Sequence, residues 1–521
     1  MKVKQKWVSL LVAVFAVATI AGCAGNNGTN SATNGNNSST TNNGSEGTSE
    51  ATQAPATPVK LSMVTSDFSL PVSGGKTMDN PTYRYLAEQT NTDLEMIILP
   101  AGQYHDQRKI KIAAGEMPDL LMDWGIPNDL FVNDQLIPLD DLIEQYGPNL
   151  KKVISQEAWD GVTRNGKIYG IPEMPKGNAL VNRNLFVRQD LMEQVGYTTP
   201  PQTPDELLDM LRKMKALDPN MTPFTARENF TWLDSLIGMY GVSVFGGTVV
   251  NGELVPSNTA PQMKQALGFI RQLMEEGLLD PEFMSNKRNT WEQKIQSGQA
   301  AVWTHAPDLI VDWQARLDQS LPGSGAKVAI IPTPKASGVE QAGFGRLPYN
   351  KTFSVTKAAK NPEQAVKLLD WLASPEGEKF VNFGIPGDTY TEDNGNIFYN
   401  RQLDLDRQTQ GMRSLQFNII GWNEDYAKLQ QGEAAIALLS QAYGVASTDG
   451  YDSVTLGMVN PKSPLPEVGE FGTAGTLFVE TAAKIVLGEK PLDYFDEYVA
   501  NWRKLGGDAL VKEATEWYNS K

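Results

Sequence analysis

Two histidines, His105 and His305, and one cysteine, Cys23, are all this chain has for imidazole or thiol chemistry. A tetrahedral zinc site draws on clustered Cys and His. A zinc protease needs two histidines on one helix face. Neither pattern is present in the sequence. No G-x-S-x-G nucleophile elbow occurs. Gly74-Gly75-Lys76-Thr77 ends like a phosphate loop, but the position five before Gly75 is Leu70, not glycine. No G-x-G-x-x-G follows a strand-like run. His305 stands two residues after Trp303 and reads as a hydrogen-bonded structural histidine. The 61 acidic residues make chance carboxylate pairs inevitable. A glycoside hydrolase, which works with two carboxylates roughly 5–10 Å apart, therefore stays open on composition alone.

The elements that would hold such residues follow a pattern. Lys60 to Thr65 reads as a buried strand, Pro81 to Gln89 as a helix, and Leu94 to Leu99 as a second strand. Gln107 to Ala114 reads as a helix stopped by Gly115, and Leu120 to Met122 as a third strand. This alternation predicts a parallel sheet covered by helices. Ligands of such sheets bind beyond the carboxyl ends of the strands. Asp67, Asp123 and Trp124 occupy that position. Downstream, Thr203-Pro204-Asp205-Glu206 is a capping box with proline at the first helical position. Asn361-Pro362-Glu363 opens another helix, and Met263 to Glu276 is amphipathic up to Gly277. Val328 to Ile331 is a further apolar strand. Trp371, Trp502 and Trp517 lie on apolar helix faces and read as core.

The first residues describe export. Lys2, Lys4 and Lys6 precede an uncharged apolar run from Trp7 to Ile20. That run is shorter than the about 20 residues a membrane span needs. Ile20-Ala21-Gly22-Cys23 resembles the lipobox of bacterial lipoproteins, which makes Cys23 a lipid-modified N-terminus. From Ala24 to about Pro58 the chain is nearly all Asn, Gly, Ser, Thr, Ala and Pro, which predicts a disordered tether. A flexible chain of that length spans about 30–35 Å. The single cysteine excludes an intramolecular disulfide. A formal charge of −16 argues against nucleic acid and against a basic membrane patch.

A family resemblance covers about Lys60 to Lys521. It rests on the order of several segments: Ile112-Ala113-Ala114-Gly115-Glu116-Met117-Pro118-Asp119-Leu120, then Ile137-Pro138-Leu139-Asp140-Asp141-Leu142, then Asn165-Gly166-Lys167-Ile168-Tyr169-Gly170-Ile171-Pro172. Val187-Arg188-Gln189-Asp190-Leu191, Gly196-Tyr197, Pro200-Pro201-Gln202-Thr203 and Gln299-Ala300-Ala301-Val302 follow in the same order, and the stretch Ser354 to Pro375 completes it. The chain resembles the extracellular solute-binding proteins, family 1, of carbohydrate ABC importers, and most of all their large Gram-positive lipoprotein branch. The resemblance implies an α/β, two-lobed periplasmic-binding-protein-like (type II) fold. Each lobe would be a mostly parallel sheet flanked by helices, with the ligand cleft between lobes. It implies residues 1–22 as signal peptide and 23–59 as lipidated cysteine and tether. One lobe would take 60–173 plus 335–395, the other 176–332 plus 396–521.

The family's ligands direct attention to particular residues. Sugars offer apolar C–H faces and rings of hydroxyls, so they need aromatic platforms and groups that form paired hydrogen bonds. The candidates are Trp124, Trp232, Trp303 and Trp422 as platforms, with Asp67, Asp123, Glu173 and Arg346 as polar partners. Some relatives carry a calcium loop where this chain has Asp218-Pro219-Asn220-Met221-Thr222-Pro223. Only Asp218 and Asn220 suit it, short of the about 6–8 oxygens calcium takes, so Ca2+ is disfavoured and no cofactor is expected. The expected protein is a non-catalytic monomer on the outer face of the cell membrane, lipid-anchored. Its expected partners are an oligosaccharide and the transmembrane subunits of an ABC permease, with hinge closure on the sugar. A sugar-binding adhesin or sensor component without import is the alternative, and a glycoside hydrolase a weaker one.

Overall fold

The computed structural model describes residues 57–68, 80–180, 183–228, 230, 232–406 and 410–521. Cys23, the leader, the tether up to residue 56 and Gly74–Thr77 lie outside them. The body opens with β1 (Val59–Ser66), α1 (Pro81–Thr90), β2 (Thr92–Leu99), α2 (Tyr104–Ala113) and β3 (Leu120–Asp123). β4 (Ile171–Pro172) ends this stretch. A second stretch carries β5 (Asn184–Arg188), α3 (Pro204–Leu217), α4 (Pro261–Glu275), β6 (Val302–His305) and β7 (Val328–Ile331). The chain then returns through β8 (Thr352–Val355) and α5 (Pro362–Leu372), and later forms α6 (Glu433–Thr448).

Local chemistry accounts for these boundaries. Asn80 caps α1 by accepting from the Thr82 amide at 2.9 Å, and Pro81 fills the first helical position. Thr203 caps α3 in the same way, accepting from the Glu206 amide. α2 starts at Tyr104, three residues before the position expected from its apolar spacing, because a 3-10 turn at Ala101–Gln103 feeds directly into it.

The first sheet has the order β2-β1-β3-β8-β4. β1 lies parallel to both β2 and β3, with Leu61 beside Leu94 and Met63 beside Leu120. β8 is antiparallel to β3 and to β4. The second sheet, β6-β5-β7, is antiparallel throughout, unlike the mostly parallel sheet expected there. The reason is where the chain enters and leaves. β5 brings it in and β7 takes it out, and Leu185 pairs with Ile331 in register. Neighbouring strands that enter and leave at one edge must run in opposite directions. β4 and β8, the exit from and return to the first sheet, obey the same rule with Thr352 beside Pro172.

Separate apolar cores surround the two sheets. Leu61, Leu120, Met122, Phe353 and Leu369 pack in the first, joined from far downstream by Phe417 and Ile419. The second sheet has a core on each face. Val187, Leu211, Met263, Val302 and Phe478 pack on one side, and Phe186, Trp291, Trp303, Trp313 and Ile330 on the other. Burying an aromatic side chain of this size contributes roughly 2–3 kcal/mol. Between the cores the backbone runs as adjacent segments. The Glu173 amide donates to the Lys351 carbonyl at 2.8 Å, and the Met174 amide to the Ile419 carbonyl at 2.8 Å. Gly421, at φ 93, lies so close that a Cβ would meet the Pro175 carbonyl oxygen at 2.6 Å.

Candidate functional site

The turn that leaves β3 presents Trp124 at the surface, where the residue is 41% exposed. Its ring is held edge-on by Tyr104 at 5.4 Å, His105 at 5.8 Å and Phe68 at 6.1 Å. Beneath it Asp123 is buried. One carboxylate oxygen accepts from the Trp124 amide at 2.8 Å, and the other is ion-paired with Arg108, which also binds Asp129. Burial pushes the Asp123 carboxyl up, and Arg108 and His105 oppose that shift. Asp123, expected to touch ligand, is therefore the buried strut under the platform.

Trp124 lines a cleft of about 290 Å³. Tyr349 belongs to the first core and Phe471 to the second, and both face this cleft. Phe245, Phe344 and Tyr451 complete its aromatic lining. Ser243, Ser453, Thr455 and Asn460 supply hydroxyls and an amide, and Arg164 the one charged side chain among the described lining residues. Rings and neutral polar groups on facing walls suit a ligand with apolar faces and many hydroxyls.

The other expected site residues are placed elsewhere. Trp303 is fully buried, stacked on Phe186 at 5.6 Å and tilted against Trp313 at 5.2 Å. It is a core residue, because both faces of its strand are covered. Glu173 is buried and ion-paired with Lys351 at 2.7 Å, joining two of the adjacent segments rather than facing the cleft. The Asp67 carboxylate accepts from the Ala101 amide at 2.8 Å, fastening the loop after β1 to the end of β2. Arg346 donates to the Thr448 and Asp449 carbonyls at 2.8 and 3.0 Å and pairs with Asp452. It caps the last carbonyls of α6. Trp422 packs edge-on against Tyr443 at 5.0 Å. Trp232 has the guanidinium groups of Arg183 at 4.2 Å and Arg227 at 4.0 Å over its ring and stacks on His305. Such cation–π pairs hold a ring firmly. His305 is clasped by rings, with Trp291 also stacked at 5.4 Å, and burial and nearby arginines hold it well below the usual imidazole range. In the Asp218–Pro223 loop, the Asn220 amide donates to Asp218, and the Lys215 ammonium donates to the Pro219 and Met221 carbonyls.

Several cleft residues that sequence reasoning missed share a signal. Phe245-Gly246, Phe344-Gly345 and Phe471-Gly472 are all aromatic–glycine pairs, and all three converge on the cleft.

Comparison with known proteins decides the family. A model described as bacterial extracellular solute-binding protein matches residues 71–379. The chain belongs to this family. Lipoprotein LipO of Bacillus subtilis (strain 168) is 20% identical to this solute-binding protein, over 100% of this chain and 99% of its own. The polygalacturonan/rhamnogalacturonan-binding protein YtcQ of the same organism is 21% identical over 82% of this chain and 86% of its own. Among solved structures, alginate-binding protein AlgQ2 without calcium ion superposes with a TM-score of 0.67 at 20% identity, covering 89% of this chain and 98% of that one. The substrate-binding protein FusA of S. pneumoniae in complex with kestose gives 0.61 at 20% identity, covering 88% and 99%. These likenesses establish the two-domain α/β fold of this solute-binding protein.

Proposed function

We propose that this protein is a lipid-anchored extracellular receptor that binds an oligosaccharide between its lobes and delivers it to an ABC permease. The observation that carries this reading is the cleft itself, where aromatic rings from both cores meet a set of hydroxyls. Relatives with sugar-binding names support it, as does a lipoprotein alike over its whole length. Catalysis of glycoside hydrolysis needs paired carboxylates. Among the described residues that line the cleft there is no Asp or Glu, which favours binding without turnover. The first lobe takes residues 60–173 and 335–395. Residues 410–419 travel with it, since Phe417 and Ile419 are buried in its core. The second lobe takes 176–332 and the chain from 422 onward. Closure of the lobes on sugar follows from a higher affinity of the closed form, and that form would be what the permease engages.

Calorimetric titration with a panel of oligosaccharides tests the reading. The expected result is saturable binding with no product formed. Release of shorter sugars by the pure protein would overturn the non-catalytic part. Binding untouched by Trp124→Ala would overturn the cleft as its place.

A further inference from the structure

Arg164 brings a positive charge to the cleft without an ion-paired carboxylate among the described residues. It is 9% exposed and sits in the short strand pair Thr163–Arg164 and Lys167–Ile168. Its Nη1 donates to the carbonyls of Gly161 and Thr163, both at 2.9 Å. Its further described neighbour is the hydroxyl of Tyr349, another cleft residue. Every other buried arginine among the described residues is held by carboxylate. Arg108 pairs with Asp123 and Asp129, Arg188 with Asp190, Arg227 with Glu228, and Arg413 with Asp404. Arg164 has no such ion pair among the described residues. Close by, the Lys521 ammonium donates to the carbonyl of Leu456, also a cleft residue, at 2.7 Å. Asp160 is the nearby acid, and one of its carboxylate oxygens accepts from the Gln156 amide at 2.8 Å.

A guanidinium removed from water without a counter-ion is costly, and proteins seldom keep one. The cost is offset when a ligand brings the missing anion. We propose that Arg164 receives a carboxylate of the ligand, so that the sugar taken by this cleft contains a uronic acid residue. The claim rests on the cleft being the sugar site. With Nη1 used by two carbonyls and the Tyr349 hydroxyl as a further partner, the donors of the planar fork that are left match a carboxylate better than a single hydroxyl. The net charge of −16 does not oppose this, because exposed charges beyond about 8 Å are screened at physiological salt.

The test is calorimetry on the purified protein with three acidic sugars, each paired with its own methyl ester. They are trigalacturonate, trimannuronate and a glucuronate-bearing xylo-oligosaccharide. Esterification removes the charge and little else. At least one acid should bind about tenfold or more tighter than its ester. Arg164→Met should abolish that preference and Arg164→Lys should retain part of it, with thermal melts confirming that both variants fold. Equal binding of every acid and its ester, or a preference that survives Arg164→Met, overturns the proposal. If neutral sugars bind and Trp124→Ala weakens them while no acid is preferred, the cleft stands and the uronate falls. If saccharides bind but neither Trp124→Ala nor Tyr349→Phe affects them, the cleft reading itself falls, and this one with it.

Discussion

Trp124 and Trp303 look alike in sequence, since each follows an apolar strand-like run, yet they do opposite work. Trp124 is fixed by three edge-on rings with its remaining face in a cleft. Trp303 has no exposed surface at all. The difference was not legible because β6 is buried on both sides. Val302 faces one core and Trp303 the other, so the period-2 alternation gives no sign of which face meets solvent. Two outcomes follow from the contrast. Trp303→Ala should cost about 3–5 kcal/mol in chemical denaturation, as large-to-small changes in a packed core do. Trp124→Ala should leave the denaturation midpoint nearly unchanged and weaken sugar binding roughly 30-fold, about 2 kcal/mol, by calorimetry. A reversal of those two effects would mean that the platform has been assigned to the wrong tryptophan.

Elements were more legible than faces, and the sheet pairings least of all. The capping residue Thr203 marked a helix start correctly because a cap is a local hydrogen bond, visible in a few residues. The antiparallel second sheet was hidden, because it depends on where the chain enters and leaves. Where the segments meet, the buried Glu173–Lys351 pair fastens one to another. Burial lowers the Lys351 ammonium, and Glu173 opposes the shift. Glu173→Gln strands that ammonium and should cost about 3–5 kcal/mol. The double change Glu173→Gln with Lys351→Met should recover most of it in the same denaturation assay. In the helix Asp234–Gly238, burial pushes Asp234 up to about 6 from 3.8, against the pull of Arg183. Between those values the folded protein holds a proton that the unfolded chain has released. The associated stability is present below about pH 4 and lost as pH rises through about 6, on the order of 3 kcal/mol for two units. Asp234→Asn cannot titrate, so its stability should fall less than wild type's across that window. A wild-type curve that rises there relative to the variant would contradict the assignment.

For the molecule as a whole, the order of the segments between Ile112 and Pro375 was enough to indicate a two-lobed binder. It was not enough to show that the chain past residue 410 rejoins the first core before entering the second. A binder that delivers to a permease, as proposed for this protein, works only if it stays near that permease, and nothing in the cleft provides that. No helix among the described residues is long and apolar enough to cross a membrane. In the proposed reading, attachment falls to the N-terminus, where a lipid on Cys23 and the tract from Ala24 to Pro58 would act as anchor and tether. A single acyl chain binds membranes only marginally, so stable retention requires more than one chain on that cysteine. The two tasks are therefore separable. Cys23→Ala should be released into the medium, as cell fractionation and blotting would show, while the released protein binds sugar with wild-type affinity in calorimetry. Uptake of the same sugar should fall in the intact cells, because the receptor's local concentration at the permease, set by a tether of about 30 Å, is lost with the anchor. Undiminished uptake by cells that shed the protein would separate this receptor from import and leave it a sugar-binding surface protein.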